Sequence, residues 1–272
     1  MTGEVRKERG FRKTLQKELK EIQKKEASLR KRADRGKKDS WKQSLEQRIP
    51  EKAMTRLEKA FATAFSLVFE KGTGVIEKSY RKERLEEMYA VRDFAVQKTR
   101  SRKSLKELKR GAASTHRKNL AVTTAEGVGL GTLGIGLPDI VVFVSVLLKG
   151  IYETALQYGF DYESPEERAL ILKMMEGALA RQEDWVRVND EVDRLLLQET
   201  LPGAEPEQLR EQMERTAKAF SLDMLLLKFL QGIPVVGILG GMGNPVYYQK
   251  VMGYVQLKYR KRYLLKQRCQ SK

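Results

Sequence analysis

Few residues in this 272-residue chain are of the types that do chemistry. His116 is the single histidine and Cys269 the single cysteine. A Ser-His-Asp or Cys-His relay therefore has no local constellation to start from, and a zinc site lacks ligands. Gly129-Leu130-Gly131-Thr132-Leu133-Gly134 matches the dinucleotide fingerprint G-x-G-x-x-G, and Glu153 lies roughly where a ribose-binding acid would follow. No strand precedes the glycines and Glu153 falls within a helical pattern, so the context does not support a dinucleotide fold. No Gly-Lys-Ser/Thr phosphate loop occurs. Glu126, Asp139 and Glu153 could supply a carboxylate pair for acid–base or divalent-metal chemistry. Asp139, directly after Pro138, is more simply a helix-terminal acid facing the dipole, and His116 reads as a polar helix residue. The expectation is no catalytic residue, no cofactor and no metal.

These candidates cluster around one element, Leu120 to Leu148, whose 29 residues hold no Lys or Arg and only two acids. Such a segment belongs in a core or in a bilayer. Gly127, Gly129, Gly131, Gly134 and Gly136 each cost about 1 kcal/mol of helix propensity. Pro138 then opens a far better helix through Ile140 to Leu148. A broken helical hairpin is expected rather than a clean span of about 20 apolar residues, with its apolar face meeting either lipid or the protein's own core. Gly134-x-Gly136-x-Pro138 is echoed by Gly241-x-Gly243-x-Pro245, again after an apolar stretch.

The net charge of +17 is uneven: +9 over residues 1–70, +9 over 71–119, −8 over 150–230 and +8 over 231–272. A basic surface implies an anionic partner: lipid headgroups, nucleic acid or an acidic protein. The alternative is internal pairing of the basic flanks with the acidic middle. The lone cysteine fits a reducing compartment, and no signal peptide opens the chain, so a cytoplasmic-side location is expected.

The remaining pattern is helical. Phe11, Leu15, Leu19, Ile22 and Leu29 form a narrow stripe, and Leu57, Ala60, Phe61, Ala64, Phe65 and Val68 a broad one. Leu85, Met88, Tyr89, Arg92 and Ala95 continue a third helix. A further helix ends at Tyr158-Gly159, where glycine suits the C′ position. Ser164-Pro165-Glu166-Glu167 then predicts an N-cap, a proline at N1 and a capping box closed by Glu167. Helices are expected at about 165–181, 184–200 and 206–230. A last, amphipathic one sets Tyr247, Val251, Tyr254, Val255 and Tyr259 against Lys250, Lys258 and Arg262. The fold class is all-α, with glycine-rich apolar helical hairpins. Residues 1–52 are expected as a basic helical extension and 53–272 as the helical domain.

The stretch from Gly127 through Leu137-Pro138-Asp139, Tyr158-Gly159-Phe160-Asp161 and Ser164-Pro165-Glu166-Glu167-Arg168 resembles the EcsC family of bacterial proteins. Gly237-Ile238-Leu239-Gly240-Gly241 and the basic Tyr/Arg helix after it look like that family's C-terminal part. The resemblance runs from about Leu57 to Gln267. Its pattern positions are Gly127, Gly131, Gly134, Pro138, Asp139, Tyr158, Gly159, Asp161, Pro165, Glu166, Arg168, Gly237, Gly240 and Gly241. The family is named for the third protein encoded beside the ATPase and permease of a bacterial ABC transporter, so the resemblance implies an accessory role near membrane transport and brings no catalytic residues.

Together these features predict a cytoplasmic, peripherally membrane-associated accessory protein that is not an enzyme. An anionic membrane surface is the expected partner, with an ABC transporter or another membrane protein as a second. Lys258, Arg260, Lys261, Arg262 and Lys266 are candidate lipid-headgroup contacts. A soluble helical enzyme is the alternative, and nucleic-acid binding ranks third.

Overall fold

A computed structural model describes residues 3–38, 49–69, 76–77, 79–113, 137–230 and 245–271, among which nine helices and no strand occur. The helices are α1 (Gly3–Lys38), α2 (Glu51–Leu67), α3 (Lys82–Thr99), α4 (102–113), α5 (Leu137–Gln157), α6 (Pro165–Leu179), α7 (Gln182–Leu196), α8 (Pro206–Leu230) and α9 (Pro245–Gln270). The all-α expectation holds, and the three helices after Pro165 fall close to their predicted bounds. Glycines 127, 131, 134, 237, 240 and 241 lie outside the described residues, as do Glu126 and His116, and so does the predicted hairpin.

Local signals explain several boundaries. Beyond Gln157, Gly159 takes φ +74°, and the Gly159 and Phe160 amides donate back to the Leu156 and Ala155 carbonyls, both at 3.0 Å. That pair of bonds is a Schellman closure, which favours glycine at C′. Tyr89 of α3 packs directly where a Gly159 side chain would begin. At the start of α6, Ser164 Oγ accepts from the Glu167 amide at 3.2 Å, with Pro165 at N1. The predicted capping box forms by half only. The Glu167 carboxylate turns away to α9, accepting from Tyr259 Oη at 2.7 Å and from Arg262 Nη1 at 2.6 Å. Asp161 instead caps its own turn, its Oδ1 accepting from the Glu163 amide at 2.9 Å.

Pro138 and Asp139 lie in the first turn of α5. That helix is long and apolar enough to cross a membrane, yet 72% of its most apolar stretch, Ile140–Gln157, is buried inside the chain. It packs on α2, α3 and α9. α2 and α8 close one side of the core through Phe61, Phe65 and Phe220, whose ring centroids lie 5.3 to 6.3 Å apart, with Phe143 of α5 against Phe220.

Two expectations are corrected here. The N-terminal helix does not stand off as an extension. Phe11, Leu15, Leu19 and Ile22 are buried in the same core cluster as the rest of the chain, and α1 packs on α7 and α9. Packing thus does not divide the chain at residue 52. Nor is α9 an amphipathic surface helix. It contacts α1, α5, α6 and α7, with buried residues around most of its circumference, including Lys258 at 0% exposure.

Candidate functional site

α9 carries cations into the interior because α1, α6 and α7 each present a carboxylate to it. Lys258 Nζ donates to Glu26 Oε1 of α1 and to Asp193 Oδ1 of α7, both at 2.6 Å. Lys261, one turn on, reaches the second oxygens of the same two acids at 2.9 and 2.8 Å. Arg260 pairs with Glu18 of α1, and Arg262 with Glu167 of α6 while lying 4.1 Å over the Phe160 ring. Of the five candidate headgroup contacts, Lys258, Arg260, Lys261 and Arg262 are therefore spent on internal partners, and Lys266 alone is exposed. The α9 cations meet the acidic middle and α1, as the internal-pairing alternative anticipated. Desolvation would otherwise make such buried charges costly.

The same pairing polarises α1. Its acids Glu18 and Glu26 turn toward α9, whereas twelve Lys and Arg side chains between residues 5 and 33 are exposed, with Glu21 the one fully exposed acid among them. Lys7 Nζ donates to the Lys98 carbonyl at 3.2 Å and Arg100 pairs with Glu8, which ties α1 to the junction of α3 and α4. Two large apolar side chains on α3, Val91 and Phe94, are 69% and 65% exposed, and Lys98 lies over the Phe94 ring.

Between α1, α4, α7 and α9 opens a cavity of about 920 Å³. Six cations line it: Lys25, Arg32, Lys109, Arg181, Lys250 and Arg260; no carboxylate does so among the described residues. Its other walls are apolar or aromatic, chiefly Leu29, Ala112, Tyr158, Trp185, Tyr254 and Leu257. Arg181 and Lys250 share a single acid behind the wall, Asp223, at 2.6 and 3.0 Å. Burial alone would raise the Asp223 carboxyl, but Lys250 and then Arg181 outweigh it and hold the group below the usual range. Lys25, Arg32 and Lys109 have no carboxylate within ion-pair distance among the described residues. Lys109 is pushed below the ordinary lysine range by burial and then by the neighbouring charges of Arg260 and Lys25. Crowded like charges of this kind favour an anion.

Two further features suit a ligand. Gly253 sits mid-helix in the cavity wall, and a Cβ added there would meet nothing within 4 Å. Glycine costs a helix about 1 kcal/mol against alanine, and no close neighbour among the described residues explains its use; its effect is to keep the wall hollow. Beside it, Gln256 Nε2 is buried with no hydrogen-bond partner among the described residues. Such a donor costs about 1–3 kcal/mol when left unsatisfied.

Of the candidate headgroup contacts and family-pattern positions, Tyr158 and Arg260 come together in this cavity, alongside Leu29, Lys250 and Tyr254 from the helical stripes. Gly159, Asp161, Pro165 and Glu166 form the turn and helix start beyond α5. Arg168 lies 5.9 Å over the Phe69 ring, so it packs locally rather than forming a site. Asp139 stands in the first turn of α5. Lys25, Arg32, Lys109, Trp185 and Gly253 were missed. The signal was present as spacing: Lys25, Leu29 and Arg32 on α1, and Lys250, Gly253, Leu257 and Arg260 on α9, each recur at helical intervals and mark one face.

No curated protein and no solved structure matches this chain. A family model does, over residues 13–264, which takes in most of α1 as well as the helices that enclose the cavity. The chain belongs to the EcsC protein family.

Proposed function

We propose that this protein is a non-enzymatic accessory protein that docks peripherally, from the cytoplasmic side, on an anionic membrane surface in support of an ABC-type transport or export system. The transport half rests on the family resemblance. The docking half is carried by one observation: besides the cavity-lining Lys25 and Arg32, α1 presents ten exposed cations against a single fully exposed acid. At 1.5 Å per residue, this 36-residue helix is about 54 Å long, so the cations span a face rather than a spot. Each basic residue near an anionic bilayer contributes about 1 kcal/mol, within a Debye length. Phe94 and Val91, exposed on α3, offer apolar anchors to the interface.

The test is flotation of the full chain with vesicles of phosphatidylcholine, with and without phosphatidylglycerol. Binding is expected only with the anionic lipid. It should be lost as salt rises from about 0.1 M to about 1 M, where the Debye length shrinks from about 10 to about 3 Å. The triple variant Lys13→Glu/Lys17→Glu/Lys24→Glu, exposed positions on α1, should bind at least a hundredfold more weakly, from about 3 kcal/mol for three lost cations. A protein that stays unbound at low salt, or floats equally with neutral vesicles, overturns the proposal.

A further inference from the structure

We propose that the cavity between α1, α4, α7 and α9 binds one anionic amphiphile, with a phosphate group on Lys25, Lys109 and Arg260 and a hydrocarbon chain along Leu29, Ala112 and Leu257. This deepens the docking proposal and depends on it only for the source of the ligand, the membrane.

The wall chemistry selects that class. Of the six lining cations, Arg181, Lys250 and Arg260 hold acids outside the lining, and Lys25, Arg32 and Lys109, with no carboxylate within ion-pair distance among the described residues, favour an anion. Lys109 is the focus, because Lys25, Lys109 and Arg260 line the same space from three helices, and burial with the charges of Arg260 and Lys25 outweighs the opposing pull of Glu18 and Glu21 on Lys109. Arg260 holds Glu18 and Glu21 through Nη2, and its remaining N–H groups can still donate to a phosphate. A purely polar anion would leave the apolar part of the wall unused. Leu29, Ala112, Trp185 and Leu257 give that wall an apolar surface of the kind that covers a ligand's carbon skeleton. Gly253 widens the space from α9, and Gln256 adds a buried donor without a partner among the described residues.

Trp185 lines the cavity and is one of only two tryptophans, so it reports occupancy directly. The measurement is tryptophan fluorescence of the full chain in a Trp41→Phe background, titrated with monomeric lysophosphatidic acid. Three variants are compared. Gly253→Leu fills the hollow wall, where an added Cβ meets nothing. Lys109→Glu reverses the central charge. Lys106→Glu makes the same change of net charge at an exposed position of α4 that does not line the cavity.

Saturable change in Trp185 emission is expected. It should weaken roughly tenfold or more in Gly253→Leu and Lys109→Glu and stay unchanged in Lys106→Glu, as a loss of site contacts rather than of bulk charge requires. Lysophosphatidylcholine with the same chain should bind at least about tenfold more weakly, because its phosphate charge is already compensated. A lipid with a brominated chain should quench Trp185. Flotation of Gly253→Leu on anionic vesicles should equal wild type, which separates failure of the cavity from failure of surface docking. The proposal is overturned if lysophosphatidic acid leaves Trp185 unaffected, if both cavity variants bind like wild type, or if Lys106→Glu weakens binding as much as Lys109→Glu. Glycerol 3-phosphate binding as tightly as the lipid would assign the site to a free phosphate and equally overturn it.

Discussion

Replacing Lys258 with Met and Glu26 with Gln, singly and together, probes how α9 is held. The four charged groups at this point sum to zero. Lys258 and Lys261 each reach both Glu26 and Asp193, at distances of 2.6 to 2.9 Å. Glu26→Gln leaves two ammonium groups on one carboxylate, and Lys258 has no exposure to water. Removing one partner of a buried pair costs about 3–5 kcal/mol, and the amide oxygen can still accept from Lys258, so about 3 kcal/mol is expected. Lys258→Met leaves two carboxylates on Lys261. These keep 12% and 25% side-chain exposure, so water reaches them and the cost falls to about 2 kcal/mol.

In the double variant the surviving Lys261–Asp193 pair is neutral again. Its cost should be about 2–3 kcal/mol, against about 5 kcal/mol for the two single changes added. Urea unfolding followed by far-UV circular dichroism measures this from the midpoints, provided the slopes agree. Costs that add to within about 0.5 kcal/mol would mean that the groups do not interact. α9 would then be held by packing alone, and the electrostatic account of its burial would fall.

Other consequences concern the tyrosines and a turn. Eight of the ten tyrosines have hydroxyls pushed upward, chiefly by burial, Tyr89 to about 12. A phenol whose folded value lies above its unfolded value near 10 contributes stability that is intact below about pH 10 and lost as pH rises through the folded value. Tyrosinate absorbance should therefore appear late and together with loss of helix; a midpoint near pH 10 with the fold intact would contradict the packing around α9. Gly159→Ala should lower stability by about 1–2 kcal/mol or more, since the position has φ +74° and Tyr89 fills the space. A melting temperature equal to wild type would refute that.

The fold was legible wherever apolar residues recur on one face. The stripes of α1 and α2, the Schellman glycine after α5 and the Ser164 cap all stand where spacing and turn chemistry put them. The rule failed on α9. Lys250, Lys258 and Arg262 mark a solvent face only if no acids meet them, and sequence spacing does not reveal that Asp223, Asp193 and Glu167 do. The same long-range pairing hid the role of α1. Its stripe of five apolar residues looks narrow for a core helix, and Glu18 and Glu26 supply the rest of its inward face by bonding to α9. The cavity was illegible for a related reason: its cations come from α1, α4 and α9 and the linker before α7, and their convergence is a tertiary fact.

The charge pattern then has one physical account. The +8 of the final 42 residues is largely spent on Glu18, Glu26, Glu167, Asp193 and Asp223. Those acids are drawn from both the acidic middle and α1, so pairing removes negative charge from the α1 surface while it fixes the helix in place. What charge remains outward on α1 is almost wholly cationic, which stability alone does not require, since self-repulsion opposes the compact state. The cavity repeats the pattern on a smaller scale, with Arg260 paired to Glu18 while it and Lys109 line the same space. Cations held close together, with their acids turned to the core, store unfavourable energy that an anionic surface or headgroup relieves, and it is this surplus, rather than the net charge of +17, that points to lipid.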